Sequence, residues 1–138
     1  MKNFLTYLLE SSNYDPSEEI QNSKKSEARY PMSHGGWNVV TRIHAASQAH
    51  LRRPDFKKED WQELHKKVLD HIKEKSVPNG EHIFYSGKKR QGYVAEVNHE
   101  KKQLKVITTL DPGSSRVVRP NTGKHIVENI ELQVFEID

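Results

Sequence analysis

The stretch Thr41–Arg53, T-R-I-H-A-A-S-Q-A-H-L-R-R, decides the fold, together with the later stretch Gln103–Leu110, Q-L-K-V-I-T-T-L. The first stretch predicts a helix that begins near Trp37 and runs to about Arg53. Pro54 ends this helix, because its ring and its missing N–H cannot continue the hydrogen-bond ladder. The second stretch has the composition of a β-strand, so helix precedes strand along this chain.

A second amphipathic helix is predicted for Lys57–Lys75, with Asp55 as its N-cap. Its apolar positions recur at i, i+3, i+4, i+7 and i+11, which is the spacing of one buried helical face. These positions are Trp61, Leu64, His65, Val68 and Ile72.

The chain after the turn Pro78–Gly80 is predicted to form short strands. Their predicted bounds are His82–Ser86, Gly92–Asn98, Gln103–Leu110, Arg116–Arg119, Lys124–Val127 and Ile130–Ile137. Two helices followed by these strands predict an α+β fold, in which N-terminal helices pack on a small antiparallel sheet. We expect this single domain to span residues 34–138.

Two segments are predicted ahead of this domain. Residues 1–10, M-K-N-F-L-T-Y-L-L-E, carry one short apolar stripe at helical spacing. Residues 11–33 are rich in Ser, Asn, Asp, Glu and Lys and keep no hydrophobic period. We therefore expect a flexible linker over 11–33 that is poorly ordered unless it docks.

The composition narrows the function classes. The 138 residues are 33% hydrophobic and 30% charged, with a formal net charge of +3 and no cysteine. The lack of cysteine excludes disulfides, thiolate metal sites and a cysteine nucleophile, while the basic balance permits a nucleic-acid partner. No apolar run approaches the roughly 20 residues of a membrane span. With no recognisable secretory signal, we expect a cytoplasmic protein with no membrane partner.

His44 is the first candidate for chemistry. On a helix it shares a stripe with Val40, Ser47 and Leu51, which predicts that its ring points toward the sheet. Two interpretations stay open for this residue. It is either a hydrogen-bonded core histidine, or a general acid or base that takes and returns a proton near neutral pH.

Basic side chains form the second set of candidates. Arg52 and Arg53 end the first helix, where they either solvate an exposed face or bind phosphate through the guanidinium fork. The run Lys88-Lys89-Arg90 lies between two strands, next to Tyr85 and Tyr93. Cations interleaved with aromatic rings suit an RNA backbone and an unstacked base, although charged hairpin tips of this composition are also common.

Thr108 is a third candidate, expected on the same side of its strand as Leu104 and Val106. It is either an ordinary strand residue or a hydroxyl that hydrogen-bonds a scissile phosphate. Arg116 belongs to a further basic group near the end of the sheet.

Several catalytic motifs are missing from the sequence, and their absence leaves one chemical route for cleavage of nucleic acid. The histidines show no zinc-ligand spacing, and the chain has no phosphate-binding glycine loop, no nucleophile elbow and no carboxylate cluster for two-metal chemistry. We therefore predict no metal and no cofactor. If the protein cuts nucleic acid, we expect RNA transesterification, in which a base activates the ribose 2′-OH and fixed cations stabilise the charged phosphorane.

The order of these residues resembles the barnase / EndoU / colicin / RelE-type ribonuclease superfamily, and its phage-encoded branches in particular. His44-Ala45 and Arg52-Arg53 match the helix motif, Gly92–Val97 a central strand, and Val106–Thr108 the strand that carries a hydroxyl. The resemblance covers roughly Trp37 to Val127. It implies metal-independent cleavage of RNA, such as host tRNA or mRNA, and a catalytically inactive member is the alternative.

Within this hypothesis single residues receive roles. His44 would be the general acid or base, and Thr108 a positioning hydroxyl. The phosphate would be stabilised by Arg53, Lys88 and Arg90. The substrate contacts would come from Arg52, Tyr85, Tyr93 and Arg116.

The first ten residues carry a second resemblance, to the capsid-targeting peptides of internal head proteins in large tailed phages. Those peptides end in a Leu-x-Glu site that the prohead protease cuts before a small residue, and Leu8-Leu9-Glu10 followed by Ser11 matches this site. An ordinary amphipathic helix is the alternative. The resemblance implies cleavage between Glu10 and Ser11, packaging in the virion head, and delivery with the DNA into the host cytoplasm.

Two other functions stay open from the residues. One is a non-catalytic phage inhibitor that binds a host defence or regulatory protein. The other is an internal protein that neutralises packaged DNA, which the net charge of only +3 argues against.

Overall fold

The structure is a computed structural model that describes residues 16–110, 124–127 and 130–138. Three of the sequence predictions lie outside these ranges: the apolar stripe of residues 1–10, the cut between Glu10 and Ser11, and the strand Arg116–Arg119 with its candidate Arg116.

Three helices, a short 3₁₀ turn and seven strands make up the described ranges. In chain order they are α1 (Pro16–Lys25), the 3₁₀ turn (Glu27–Arg29), β1 (Met32–His34), β2 (Trp37–Thr41), α2 (Ile43–Arg52), α3 (Lys58–Lys75), β3 (Gly80–Ser86), β4 (Gln91–Asn98), β5 (Gln103–Thr109), β6 (Lys124–Val127) and β7 (Ile130–Glu136). Helices combined with one sheet confirm the predicted α+β class.

The sheet is mixed, with the strand order β1-β2-β5-β4-β3-β7-β6. Strands β3, β4 and β5 form an antiparallel meander, whereas β2 pairs parallel with β5 and β7 pairs parallel with β3. The prediction of a wholly antiparallel sheet is therefore wrong at two pairings. Successive hairpins force antiparallel pairing, but a strand that joins after a long excursion is free to pair in parallel, and β2 and β7 both do so.

The first five residues of the predicted helix form strand β2 instead. Gly35 and Gly36 have φ of 60° and 82°, so they form a two-residue hairpin turn of the kind that requires positive φ at both positions. This turn pairs β1 with β2, and the β-branched Val39 and Val40 follow within β2. Helix α2 begins only at Ile43, and it ends before Pro54 as predicted.

The segment predicted as a linker is folded from Pro16 onward. Helix α1 packs against α2, and the 3₁₀ turn that follows is capped by the Ser26 hydroxyl, which accepts the Ala28 N–H at 3.1 Å. Ser26 and Ala28 are both buried. The linker expected over 11–33 therefore docks from Pro16 onward, which is the condition under which it was expected to be ordered. Small residues at 26 and 28 allow this polar segment to dock without any hydrophobic period.

Helix α2 enters the core through small side chains. Ala45 and Ala49 are fully buried in the main hydrophobic cluster, while Leu51 is 64% exposed. Of the predicted stripe of Val40, His44, Ser47 and Leu51, only Ser47 is buried. The prediction followed the large residues and began three residues before the helix does, so it placed the inner face wrongly.

Helix α3 matches its prediction closely. All five predicted stripe positions are buried, from Trp61 to Ile72. The N-cap is Lys57 rather than Asp55: the Lys57 N–H donates to Asp60 at 2.8 Å, while Asp55 is occupied by an ion pair with Arg53.

The core between α3 and the sheet contains one buried polar pair. Nδ1 of His65 lies 2.9 Å from the Tyr93 hydroxyl, and the His65 ring stacks on Trp61. Burial lowers the pKa of His65 to about 3, so this histidine is neutral in the folded protein across the physiological range.

This pair predicts acid sensitivity. The unfolded chain protonates His65 near pH 6.5 and the folded chain does not, so the free energy of unfolding falls as the pH drops below that value. Between pH 7 and pH 5 we expect His65 alone to remove about 2 kcal/mol, measured by urea denaturation at each pH. A His65→Leu protein should start less stable but lack this part of the pH slope. Equal slopes in the two proteins would contradict the assignment.

Candidate nucleic-acid interface

The end of α2 and the β3–β4 turn meet at a cleft of about 360 Å³. Its lining consists of Arg52, Arg53, Asp55, Lys88, Lys89 and Arg90, and we call it the cationic cleft. Four of the residues predicted from the sequence are thus brought together: Arg52, Arg53, Lys88 and Arg90.

Arg53 holds the β3–β4 turn in place. Its Nη1 donates to the carbonyl oxygens of Lys89 at 3.1 Å and Arg90 at 3.3 Å, and reaches the Gln91 side-chain oxygen at 3.4 Å. The side chain is only 12% exposed. Its guanidinium group hydrogen-bonds to the protein's own turn. Arg53 therefore acts as a structural clamp more than as a phosphate ligand.

The same guanidinium is fixed from two other directions. Nε and Nη2 bind the two carboxylate oxygens of Asp55 at 3.0 and 3.1 Å, and the group lies 3.7 Å from the ring centroid of Phe56. The Arg53 hydrogen bond is the main cause that lowers the pKa of Asp55 below its usual value. Asp55 therefore stays ionised, and the bidentate pair persists into mildly acidic solution.

Asp138 fixes the other side of the turn. Its carboxylate accepts the Lys88 N–H at 2.7 Å and the Ser86 hydroxyl at 2.9 Å, with Nζ of Lys67 at 3.4 Å. Partial burial by itself would raise the pKa of Asp138, but these hydrogen bonds outweigh it and lower the pKa. The turn is thus held by a cation on one flank and a carboxylate on the other.

The side chains of Lys88 and Arg90 remain directed outward from this fixed turn. Both residues are exposed, and within the described ranges neither makes an ion pair. Lys89 differs, because its Nζ pairs with Glu63 at 3.2 Å. Lys88 and Arg90 are therefore the two cations of the cleft that are best placed to meet an anion from solvent.

Helix α2 is fastened to β5 through Thr109. The Thr109 hydroxyl donates to the Ala45 carbonyl at 2.8 Å, and its N–H donates to the Gln48 side-chain oxygen at 3.0 Å. The Thr109 carbonyl in turn accepts a hydrogen bond from Nη1 of Arg52. These contacts place Arg52 at the edge of the cleft, and they make Thr109 a residue that sequence reasoning missed.

A β-bulge explains why Thr109, and not Thr108, faces the helices. Val94 pairs with Thr108 and Ala95 with Val106, so Ile107 is an extra residue on β5. A bulge shifts the alternation of side chains beyond it. Thr108 is therefore on the face of the sheet opposite α2, beside Val94, and the prediction that it shares a side with Val106 is wrong.

His44 lies apart from the cleft. Its side chain is 43% exposed, and Nδ1 is 3.3 Å from a carboxylate oxygen of Glu19 on α1. The prediction that His44 points toward the sheet is wrong, because Ala45 and Ala49 occupy that side of α2. At 1.5 Å a residue, His44 and Arg52 are separated by about 12 Å along the helix axis.

The two tyrosines predicted to contact substrate belong to the core. Tyr85 is 4% exposed and Tyr93 is fully buried. Neither lines the cationic cleft, so neither offers a ring on which a base could stack in this conformation.

Comparison of the chain with family models, with curated proteins and with solved structures found no match. None of the helices in the described ranges is both long and apolar enough to cross a membrane. Among the same residues, no group of three His, Cys, Asp or Glu side chains is arranged to hold a metal ion.

The clamp predicts a stability effect for Arg53. An Arg53→Gln substitution removes charged hydrogen bonds to two turn carbonyls, and we expect it to lower the free energy of unfolding by about 2 kcal/mol. The matched control is Arg90→Gln, which changes an exposed arginine of the same cleft and should stay within about 0.5 kcal/mol of wild type. Urea denaturation compares the three proteins. Equal stability of the two variants would refute the clamp.

Proposed function

We propose that this protein binds single-stranded RNA at the cationic cleft and cleaves it without a metal ion. The observation that carries the proposal is the fixed β3–β4 turn, which presents Lys88 and Arg90 to solvent. Arg53 and Asp138 hold its backbone from both flanks. A rigid turn supports phosphate binding, because the cations lose less conformational freedom when the anion arrives.

Charge distribution supports the same proposal. The cleft is lined by five cationic side chains and one carboxylate, in a chain whose formal net charge is only +3. Arg53 pairs with Asp55, and Lys89 pairs with Glu63 outside the lining. Lys88 and Arg90 make no ion pair within the described ranges and carry positive charge to the surface here. Phosphate contacts by Lys and Arg supply most of the affinity of proteins for nucleic-acid backbones. A local excess of this kind favours a polyanion at this end of the sheet.

The arrangement of elements is compatible with the barnase / EndoU / colicin / RelE type. Helices α2 and α3 precede the antiparallel meander β3–β4–β5 and pack on one face of it. Under this proposal the 2′-oxygen attacks the adjacent phosphorus and the bond to the 5′-oxygen breaks. The products are a 2′,3′-cyclic phosphate and a 5′-hydroxyl, while Lys88 and Arg90 hold a phosphate further along the strand.

His44 is the proposed proton carrier, since its imidazole is half-exposed and its ring nitrogens can accept and donate a proton. It is about 12 Å along α2 from Arg52, which is too far to serve a phosphate held inside the cleft. Cleavage by His44 therefore requires the RNA to extend from the cleft along α2. The phage-head resemblance supplies the setting for this proposal: a protein packaged in the virion head that acts on host RNA in the host cytoplasm.

A non-catalytic inhibitor of a host defence or regulatory protein is the second candidate. The observation that favours it is the separation of the proposed base from the proposed phosphate ligands. In this case the cationic cleft binds an acidic surface of the host protein, and RNA is not turned over.

RNA binding predicts a specific salt dependence. Each exposed cation that contacts a phosphate adds about 0.7 to the slope of log affinity against log salt for single strands. A Lys88→Gln/Arg90→Gln protein should therefore lose about 1.4 from that slope, measured by fluorescence anisotropy with a labelled oligoribonucleotide. A Lys24→Gln/Lys66→Gln protein loses the same charge outside the cleft and should keep the wild-type slope. Equal slopes in both variants would place RNA elsewhere.

Cleavage predicts a second result. Total bacterial RNA and tRNA incubated with the protein in EDTA should yield cyclic phosphate ends, and a His44→Ala protein should leave the RNA intact. The Lys88→Gln/Arg90→Gln protein should lose cleavage together with binding. Near-wild-type cleavage by His44→Ala would remove His44 from the mechanism. Intact RNA with folded wild-type protein would favour the inhibitor.

A further inference from the structure

A second cavity lies at the opposite end of the sheet from the cationic cleft. It has a volume of about 740 Å³, within the usual range for small-molecule pockets. It is bounded by the β1–β2 turn, the C-terminal half of α3 and the β4–β5 turn. Strand β4 separates the β3–β4 turn from the β4–β5 turn, so the two sites are about 25 Å apart at 3.3 Å a residue.

The walls of this cavity are aromatic and apolar. The indole of Trp37 meets the His99 ring edge to face, with the ring centroids 5.2 Å apart. His99 is held in turn, because its Nε2 donates to the Val77 carbonyl at 2.6 Å. Leu69 and Ile72 of α3 complete the apolar lining. Flat walls of this kind accommodate a planar ring, which stacks on an aromatic side chain.

The polar groups of the cavity are few and oriented. Nε2 of His34 lies 3.0 Å from the Asp70 carboxylate. A carboxylate can only accept, so Nε2 carries the hydrogen and Nδ1 remains an acceptor in the neutral ring. Lys73 lines the same cavity and is exposed. It supplies one ammonium group, which no ion pair occupies within the described ranges.

We infer that this cavity binds a mononucleotide. The base would occupy the space beside Trp37, where an exocyclic amino group can donate to His34. The phosphate would lie at Lys73. The ligand needs both a base and a phosphate, because the lining combines an aromatic wall with a single cation. The inference is independent of the RNA cleft, since no residue lines both sites.

Tryptophan fluorescence tests the inference directly. The chain has two tryptophans, and Trp61 is buried in the core, so a ligand in the cavity should quench Trp37 alone. We expect saturable quenching by AMP, GMP and CMP, whose bases carry an exocyclic amino group, and weaker binding of UMP, whose base has none. The corresponding nucleosides should bind about fivefold more weakly, the loss expected for one exposed charge pair. Inorganic phosphate should neither quench nor compete at equal concentration.

Variants on the solvent side of the cavity keep the core intact. Lys73→Gln should reduce nucleotide affinity to that of the nucleoside, whereas Lys66→Gln, on the same helix and outside the cavity, should bind as wild type. Trp37→Phe should abolish the quenching while calorimetry still detects binding. The Lys88→Gln/Arg90→Gln protein should keep full nucleotide affinity. Nucleotide binding at the cavity is thereby tested separately from RNA binding at the cationic cleft.

Two outcomes would overturn the inference. One is the absence of saturable quenching and of calorimetric heat with all four nucleotides at millimolar concentration. The other is nucleotide binding that Lys73→Gln leaves unchanged and Lys88→Gln/Arg90→Gln abolishes, which would place the nucleotide in the cationic cleft.

Discussion

The geometry of the cationic cleft depends on one guanidinium group, that of Arg53. It pairs with Asp55, lies over the ring of Phe56 and donates to the carbonyls of Lys89 and Arg90. A single planar group thereby joins the end of α2, the loop that leads to α3, and the β3–β4 turn. Arginine suits this task because its five donors have a fixed geometry that an ammonium group lacks.

This commitment divides the cations of the cleft into two kinds. Arg53 and Lys89 serve the protein, through turn carbonyls and through Glu63 respectively. Lys88 and Arg90 are left on a backbone that Arg53 and Asp138 hold still. Arg53 thus fixes the backbone from which the exposed cations project. A simple count of basic residues in the sequence does not reveal this division.

Sequence patterns predicted the helix face that is built from large apolar residues, but they did not predict the helix face that is built from alanines. The stripe from Trp61 to Ile72 is clear because each position is bulky and apolar. Helix α2 buries alanines instead, so a search for large hydrophobic residues placed its inner face wrongly and predicted that His44 points toward the sheet. The bulge at Ile107 has no local signal, and it exchanged the roles of Thr108 and Thr109. Contacts such as Arg53 with Lys89 join residues far apart in the chain, and no spacing rule predicts them.

Backbone amide chemical shifts test the central claim that RNA binds at the cationic cleft. The probe is a short single-stranded 2′-O-methyl oligonucleotide in EDTA, which lacks the free 2′-OH and cannot be cleaved by the proposed route. We expect the largest shift changes at Lys88–Arg90 and at Arg52-Arg53, with smaller ones along α2 toward His44. If saturating oligonucleotide leaves the amide chemical shifts of Lys88–Arg90 unchanged, RNA does not bind at the cationic cleft and the central claim is contradicted.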